Sequence, residues 1–215
     1  GVRPATAFLN DSGVEMFKGI IVVDKFQKPN LPDVEAVGDG AMVYNRLTGK
    51  GQWSAMGSTA NITGRLLAKN LTGEAAPYGG CLGTGVVKHA EGLNAGRTGL
   101  TEEQAKSAGF DAITETCGTD EKAHYYPDAT TYMTKLIADQ APHALLGIQV
   151  LGGGAVDKMV DIAVTGIAMG AKVEDFDTLD FAYAPPFSTA IHPFVQACYI
   201  LENKLSGDCR LYPSD

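Results

Sequence analysis

The 215-residue sequence contains no C-x-x-C pair and no G-x-G-x-x-G. The local signatures of a dithiol centre and of a dinucleotide-binding turn are therefore absent from it. "LTGK" and "LGGGA" each supply only a piece of the phosphate-loop pattern G-x-x-x-x-G-K-[ST]. The serine stretch "FSTAIHP" is not the G-x-S-x-G of a nucleophile elbow. Histidine is scarce, and His89, His124, His143 and His192 do not recur at metal-ligand intervals, so no metal centre is expected. The four cysteines, Cys81, Cys117, Cys198 and Cys209, are far apart and are expected to be buried small side chains or single thiols. Positive charge is also short. Lys and Arg number 17 against 25 Asp and Glu, a net charge of -8, and they form no basic stripe, so nucleic acid is not an expected partner.

Long apolar runs are missing as well. The most apolar long segment, Ala144 to Ala171, carries Gln149, Asp157, Lys158 and Asp161, so no membrane is expected as a partner. "GVRPATAFLN" lacks the basic region and apolar run of a secretion signal, and the expected compartment is the cytoplasm. A hydrophobic fraction of 45% with 20% charged residues describes a globular protein able to bury a sizeable core.

Along the chain, "GIIVVDKFQKP" reads as a strand running into a proline-bounded turn, and "VEAV" before Gly38 as a second short strand. The hydroxyl of Ser58 is positioned to cap a helix through "TANITGRLLAKNL", with Ile62, Leu66 and Leu67 on its buried face and Gly73 at its end. Gly64 inside this helix marks either a tolerated weakness or a close packing contact. "LGTGVVKHAEGLNAGRTG" predicts two strands around a Glu91-Gly92 turn. Thr101, Glu102, Glu103 and Gly109 frame a short helix. "FDAITETCG", "TTYMTKLIAD" and "HALLGIQVLGG" are read as further strands, giving at least three antiparallel ones. From Ala155 the period becomes helical: Val156, Met159, Val160, Ala163, Val164 and Ile167 form an apolar stripe, with Asp157, Lys158 and Asp161 facing away. A last helix is expected from about Thr189 to Leu205. The expected class is α+β, with a boundary near Ala76 to Gly80.

Two concentrations of residues can carry chemistry. In "VEAVGDGAMVYN" a glycine lets backbone approach a ligand, and Asp39 beside it can accept hydrogen bonds from hydroxyls. The first turn of the Ser58 helix would offer N–H donors with partial positive charge. In "AHYYPDA" and "DFAYAPPFS", Tyr125, Tyr126 and Tyr183 stand in proline-stiffened turns, each an aromatic body with an O–H group suited to packing, an interface or a substrate pocket.

The collinear succession "GVRPAT", "VEAVGDGAMV", "GSTANITGRLLAKNLTG", "CLGTGVVKHAEGLNAGRTGLTEEQAKSAGF", "AHYYPDA", "LLGIQVLGGGAVDKMVDIAV" and "LDFAYAPPFS" resembles the C-terminal part of the flavin-dependent pyridine nucleotide-disulfide oxidoreductases. More narrowly it resembles the branch of NADH oxidases and coenzyme A-disulfide and persulfide reductases. The resemblance implies that residues 1–76 are the terminal segment of an FAD-binding domain and 77–215 an antiparallel-sheet and helix dimerisation domain. It implies FAD and NAD(P)H as cofactors of a parent enzyme, with neither binding tightly to the isolated fragment. The family's two glycine-rich nucleotide fingerprints and its redox cysteine motif do not occur in these 215 residues.

By the same resemblance, Gly38, Asp39, Gly40 and Ala41 anchor the flavin side. Ser58, Thr59, Ala60 and Asn61 begin the helix that points at the isoalloxazine. Tyr183 and one of Tyr125 and Tyr126, the choice left open, reach toward a partner subunit's substrate pocket. A homodimer is implied, as is a small-molecule thiol, disulfide or oxygen acceptor. NADH and NADPH stay as alternatives. A free-standing, non-catalytic dimerisation or ligand-binding module is the other reading.

Overall fold

The computed structural model describes residues 1–208 and divides into two compact units, Gly1–Cys81 and a second beginning at Leu82. Cys209 lies outside the described residues. Residues 77–81 stay with the first unit because of their backbone bonds. The Tyr78 N–H donates to the Lys25 carbonyl at 2.7 Å, and Cys81 exchanges bonds with Tyr44 and Arg46.

The first unit has little regular structure. Two two-residue hairpin pairs, β1 (Met16–Phe17) with β2 (Ile20–Ile21) and β3 (Val43–Tyr44) with β4 (Gly51–Gln52), precede the helix α1 (Gly57–Leu71). Ile20, Val23, Ala41 and Val43 supply its buried aliphatic groups. Polar ties hold the loops: Thr6 Oγ1 donates to the Gly19 carbonyl, and the Tyr44 hydroxyl to that of Val23 at 2.7 Å. The expected "VEAV" strand is not formed. Residues 34–37 have no ladder partner beyond one bond, Ala36 N–H to the Gln27 carbonyl. Left-handed residues bracket them, Asp33 at φ 57° and Gly38 at φ 79°, and the run between is too short to sustain pairing.

Helix α1 departs from expectation in two ways. It starts at Gly57 with Met56 as N-cap and no side-chain cap, so Ser58 lies inside the first turn and its hydroxyl cannot close the helix end. Its buried residues are Thr59 and Thr63, while Ile62 is 48% exposed and Leu66 and Leu67 are half-buried. Asn70 sets this rotation: its Nδ2 donates to the Ala76 carbonyl and its Oδ1 accepts from the Ala76 N–H. With the face through 59, 63 and 70 turned inward, position 62 is swung about 100° away. Gly73, at φ 92°, ends the helix as expected.

The second unit is a five-stranded antiparallel sheet of β5 (Gly85–Ala90), β6 (Leu93–Gly99), β7 (Ala112–Asp120), β8 (Thr131–Asp139) and β9 (Leu145–Gly152), in spatial order β5-β6-β9-β8-β7. The short helix α2 (Glu102–Ser107) opens with a capping box between Thr101 and Gln104. Strand register puts Val86, Gly96, Val150, Thr134 and Cys117 in one row across the sheet. Helices α3 (Val156–Met169) and α4 (Pro193–Leu205) cover that face, α3 over β6 and β9 and α4 over β7 and β8.

The α3 stripe buries Val156, Met159, Val160, Ala163 and Ile167, as its 3.6-residue period requires, while Val164 is half-buried. Helix α4 begins at Pro193, four residues later than the sequence suggests. His192 is its N-cap, and Pro193 occupies the first helical position, where its missing N–H costs nothing. Phe194 is fully buried, 4.9 Å from the Phe176 ring. The opposite sheet face carries the next row, where Val87, Leu151 and Met133 are exposed. Among the described residues no helix is long and apolar enough to cross a membrane.

Two substitutions test this packing by denaturant unfolding. Phe194→Ala is expected to lower stability by about 3–5 kcal/mol through the cavity it leaves under α4. Gly64→Ala is expected to raise it by up to about 1 kcal/mol, because a Cβ at Gly64 meets nothing within 4 Å and the glycine is a tolerated weakness. A loss on Gly64→Ala would mean that close packing holds that position instead.

Candidate functional site

In the first unit the sequence-predicted residues converge. Gly38, Asp39 and Gly40 form a single 3-10 turn whose end passes to Ala41 in extended backbone. The turn lies against the first turn of α1, where a Cβ built on Gly38 would stand 4.0 Å from that of Ala60. The Trp53 indole N–H donates to the Asp39 carbonyl at 2.6 Å, holding the turn while the Asp39 carboxylate stays exposed and has no partner among the described residues.

Ser58 and Asn61 are exposed, Ala60 is half-buried and Thr59 is buried. Thr59 shares a 2.9 Å hydroxyl bond with Ser54, and Asn61 Nδ2 returns to the Gly57 carbonyl at 2.8 Å. No side chain caps the helix, so among the described residues the N–H groups of Gly57, Ser58 and Thr59 are unbonded donors at the positive end of a 15-residue dipole. The arrangement is one exposed acceptor beside three donors. It suits a ligand that carries hydroxyls and an electron-rich polar edge.

In the second unit Tyr125 and Tyr126 sit on the turn joining β7 to β8. Backbone bonds from Tyr126 to Ala123 and from Ala129 to Tyr126 fold it, and the Lys122–Asp128 ion pair at 2.8 Å closes it. The two tyrosine rings lie 5.2 Å apart, with His124 edge-on to Tyr125. Tyr125 is 67% exposed and Tyr126 half-buried. Tyr183 lies in the loop before α4, 54% exposed and without a hydrogen bond or ring contact among the described residues. The fold does not bring Tyr183 against Tyr125 or Tyr126 within the chain.

The thiols are not a reactive set. Burial raises the Cys117 and Cys198 pKa values, leaving both protonated at neutral pH. Cys81 accepts a bond from Gln52 Nε2 at 2.6 Å. Three polar features escape a reading by spacing. Burial, then a bond to Asp177, raises the Glu202 carboxyl, while His143 Nδ1 pairs with Glu174. Lys106 and then Lys135 grip Glu102 and hold its carboxyl down to about 2. His192 is buried at the start of α4, its Nδ1 accepting from the Phe194 N–H at 3.2 Å and its ring 5.0 Å from Phe181. Only the "HP" preceding an apolar run signals that last role.

Residues 91–194 match the family model of the pyridine nucleotide-disulphide oxidoreductase dimerisation domain. The chain is 30% identical over 203 residues to the NAD(P)H sulfur oxidoreductase (CoA-dependent) of Pyrococcus furiosus, covering 94% of this chain and 46% of that protein. It is 29% identical to the NADH oxidase of Methanocaldococcus jannaschii, over 96% of this chain and 46% of the relative. The solved NAD-dependent persulfide reductase from A. fulgidus superimposes with a TM-score of 0.90 at 32% identity, over 96% of this chain and 38% of that one. The chain thus spans less than half the length of these relatives. Along its length it is similar to the pyridine nucleotide-disulphide oxidoreductases, whose dimerisation domain residues 91–194 match. Within them it corresponds to the C-terminal part of the branch that holds the NADH oxidases and the coenzyme A-disulfide and persulfide reductases.

The buried His192 generates a test. Desolvation, with Lys158 second, depresses its pKa from 6.5 to about 4. The unfolded chain therefore binds this proton first. The stabilising contribution is whole above about pH 6.5 and is lost as pH falls toward 4. His192→Asn keeps a capping acceptor and removes the titration, so its stability is expected to fall less steeply through that window. Equal slopes for both proteins in chemical unfolding at stepped pH would refute the assignment.

Proposed function

We propose that this chain is the flavin-contacting and dimer-forming part of an FAD-dependent NAD(P)H oxidoreductase acting on a disulfide, persulfide, peroxide or dioxygen. The observation that carries this reading is the convergence of the Gly38–Gly40 turn with the uncapped start of α1. An exposed carboxylate facing hydroxyls and three unbonded N–H groups facing an electron-rich ring edge fit a flavin with its ribityl chain. When bound, FAD supplies the hydride and electron transfer. The chain's own residues orient and tune: Asp39 accepts from ribityl hydroxyls, and the N–H groups of Gly57 to Thr59 offset negative charge at the pyrimidine edge.

Residues 1–76 on this reading are the closing segment of an FAD-binding domain and 77–215 the dimerisation domain, with the joining stretch 77–81 packing in the first unit. Tyr183 and one of Tyr125 and Tyr126 serve the partner subunit's substrate pocket, their exposure within the chain leaving them available for it. A tyrosine O–H can donate to a thiolate or peroxide leaving group. The proposed compartment is the cytoplasm, supported by the free thiols of Cys81, Cys117 and Cys198. The exposed apolar side chains Met169, Leu179 and Phe187 support homodimerisation as the role this chain performs by itself.

Two measurements test the proposal. Light scattering of the purified chain is expected to give twice the chain mass at micromolar concentration; monomer throughout would count against the dimer. The isolated chain is expected neither to retain stoichiometric FAD nor to oxidise NADH, whereas joined to the upstream half of a relative it should do both. Failure of that chimaera to hold flavin, with a folded second unit, would sink the flavin-side role.

A further inference from the structure

A cleft of 520 Å³ opens in the first unit, walled by Asp24, Lys25, Phe26, Tyr44, Arg46 and Tyr78 and floored by Gly49, Gly79 and Gly80. Its size lies within the range of small-molecule sites. None of these residues belongs to the Gly38–Gly40 turn or to α1. Gly49, at φ 66°, and Gly80 resist replacement by a residue with a side chain. A Cβ on Gly79 would stand 2.6 Å from an Arg46 Nη, so the guanidinium lies directly over that backbone. Gly80 holds φ 91°, and a Cβ there would strike the Tyr44 carbonyl at 2.7 Å.

Several donors in the cleft other than Arg46 have no acceptor among the described residues. The N–H groups of Gly79 and Gly80 make no hydrogen bond among the described residues, although Tyr78 N–H and Cys81 N–H on either side are both bonded. The Tyr78 hydroxyl has no partner among the described residues. Burial, followed by Cys81, pushes the phenol up to about 12 against the opposing pull of Arg46, so it remains a donor throughout the neutral range. Lys25 Nζ lies 5.4 Å above the Phe26 ring and forms no ion pair. The one carboxylate in the wall is committed: Asp24 Oδ1 accepts from the Phe26 and Lys28 N–H groups at 2.8 and 3.0 Å. Consecutive backbone N–H groups ending in a left-handed glycine form a concavity for an anion. A guanidinium beside it adds the planar, multi-donor grip suited to phosphate.

We propose that this cleft binds the phosphate group of a nucleotide-class phosphate ester, with Gly79 N–H, Gly80 N–H, Arg46 and the Tyr78 hydroxyl as donors and Lys25 adding charge. Phe26 and Tyr78 offer the ring faces against which the planar base rests. The site is separate from the flavin-side turn and stands whether or not that turn binds flavin.

Titration calorimetry of the full chain with ADP at low ionic strength tests it, with inorganic phosphate and adenosine as the other two probes. ADP is expected to bind saturably below about 1 mM, inorganic phosphate to compete with it, and adenosine to bind at least tenfold more weakly. Tyr78→Phe is expected to weaken ADP by about tenfold, as loss of one bond to a charged group does, and Arg46→Ala by more. Lys158→Ala in the second unit, and Asp39→Ala at the flavin-side turn, should leave the affinity unchanged. Far-UV circular dichroism confirms that each variant is folded. The proposal is overturned if ADP shows no saturable binding, if adenosine binds as well as ADP, if folded Tyr78→Phe and Arg46→Ala bind like the parent, or if Asp39→Ala alone abolishes binding.

Discussion

One face of the five-stranded sheet has to be kept from water, and α3 and α4 do this for the whole second unit. Leu136, Ile148 and Val150 on the strands meet Val160, Ala163, Phe194 and Leu201 on the helices, all at most 5% exposed. Strand register, helix rotation and the loop carrying Tyr183 follow from that burial. A one-residue slip of β8 would turn Leu136 and Tyr132 outward and bring Met133 and Lys135 inside. The Val173–Phe176 turn is held in the same way, because Phe176 packs on Phe194. The tyrosine turns are then placed as the connections that a buried core leaves at its edges.

The first unit is organised by different means. Its strand pairs are two residues long, and its loops are tied by side chains that reach backbone groups: Thr6, Tyr44, Trp53 and Asn70. Asn70 in particular fixes the rotation of α1 through both ends of its amide. The start of that helix lacks a cap, an arrangement that leaves donors unmet and lowers the helix's intrinsic stability. Among the described residues, donors are left without acceptors at the start of α1 and again at Gly79-Gly80.

Much of the second unit was legible from residue order. The Glu91-Gly92 hairpin, the capping residue Thr101, the three further strands and the α3 stripe each rest on a local pattern that burial of one face reinforces. Errors fell where a local signal met a tertiary constraint. Ser58 has the right chemistry for a cap, but the chain enters the helix two residues too early. Ile62 has the right hydrophobicity for a core, but Asn70 rotates it outward. "VEAV" has strand composition, yet left-handed residues on both sides leave it without a partner. The last helix begins at Pro193 because its ring fits the first helical position and His192 can accept the Phe194 N–H.

Sequence alone determined the class of the fold, the alternation that makes one sheet face apolar, and the residues Gly38 to Ala41 and Ser58 to Asn61 as a candidate set, because short-range pattern and collinear order carry that information. The tertiary structure decided that the turn and the helix start meet, that Arg46 lies over Gly79, and that His192 is buried and neutral. These depend on contacts between residues distant in the chain, whose closure is set by packing of the whole unit rather than by any local preference. Spacing along a chain cannot encode which donors are left without acceptors. That becomes definable only once every neighbouring carbonyl has been assigned its partner.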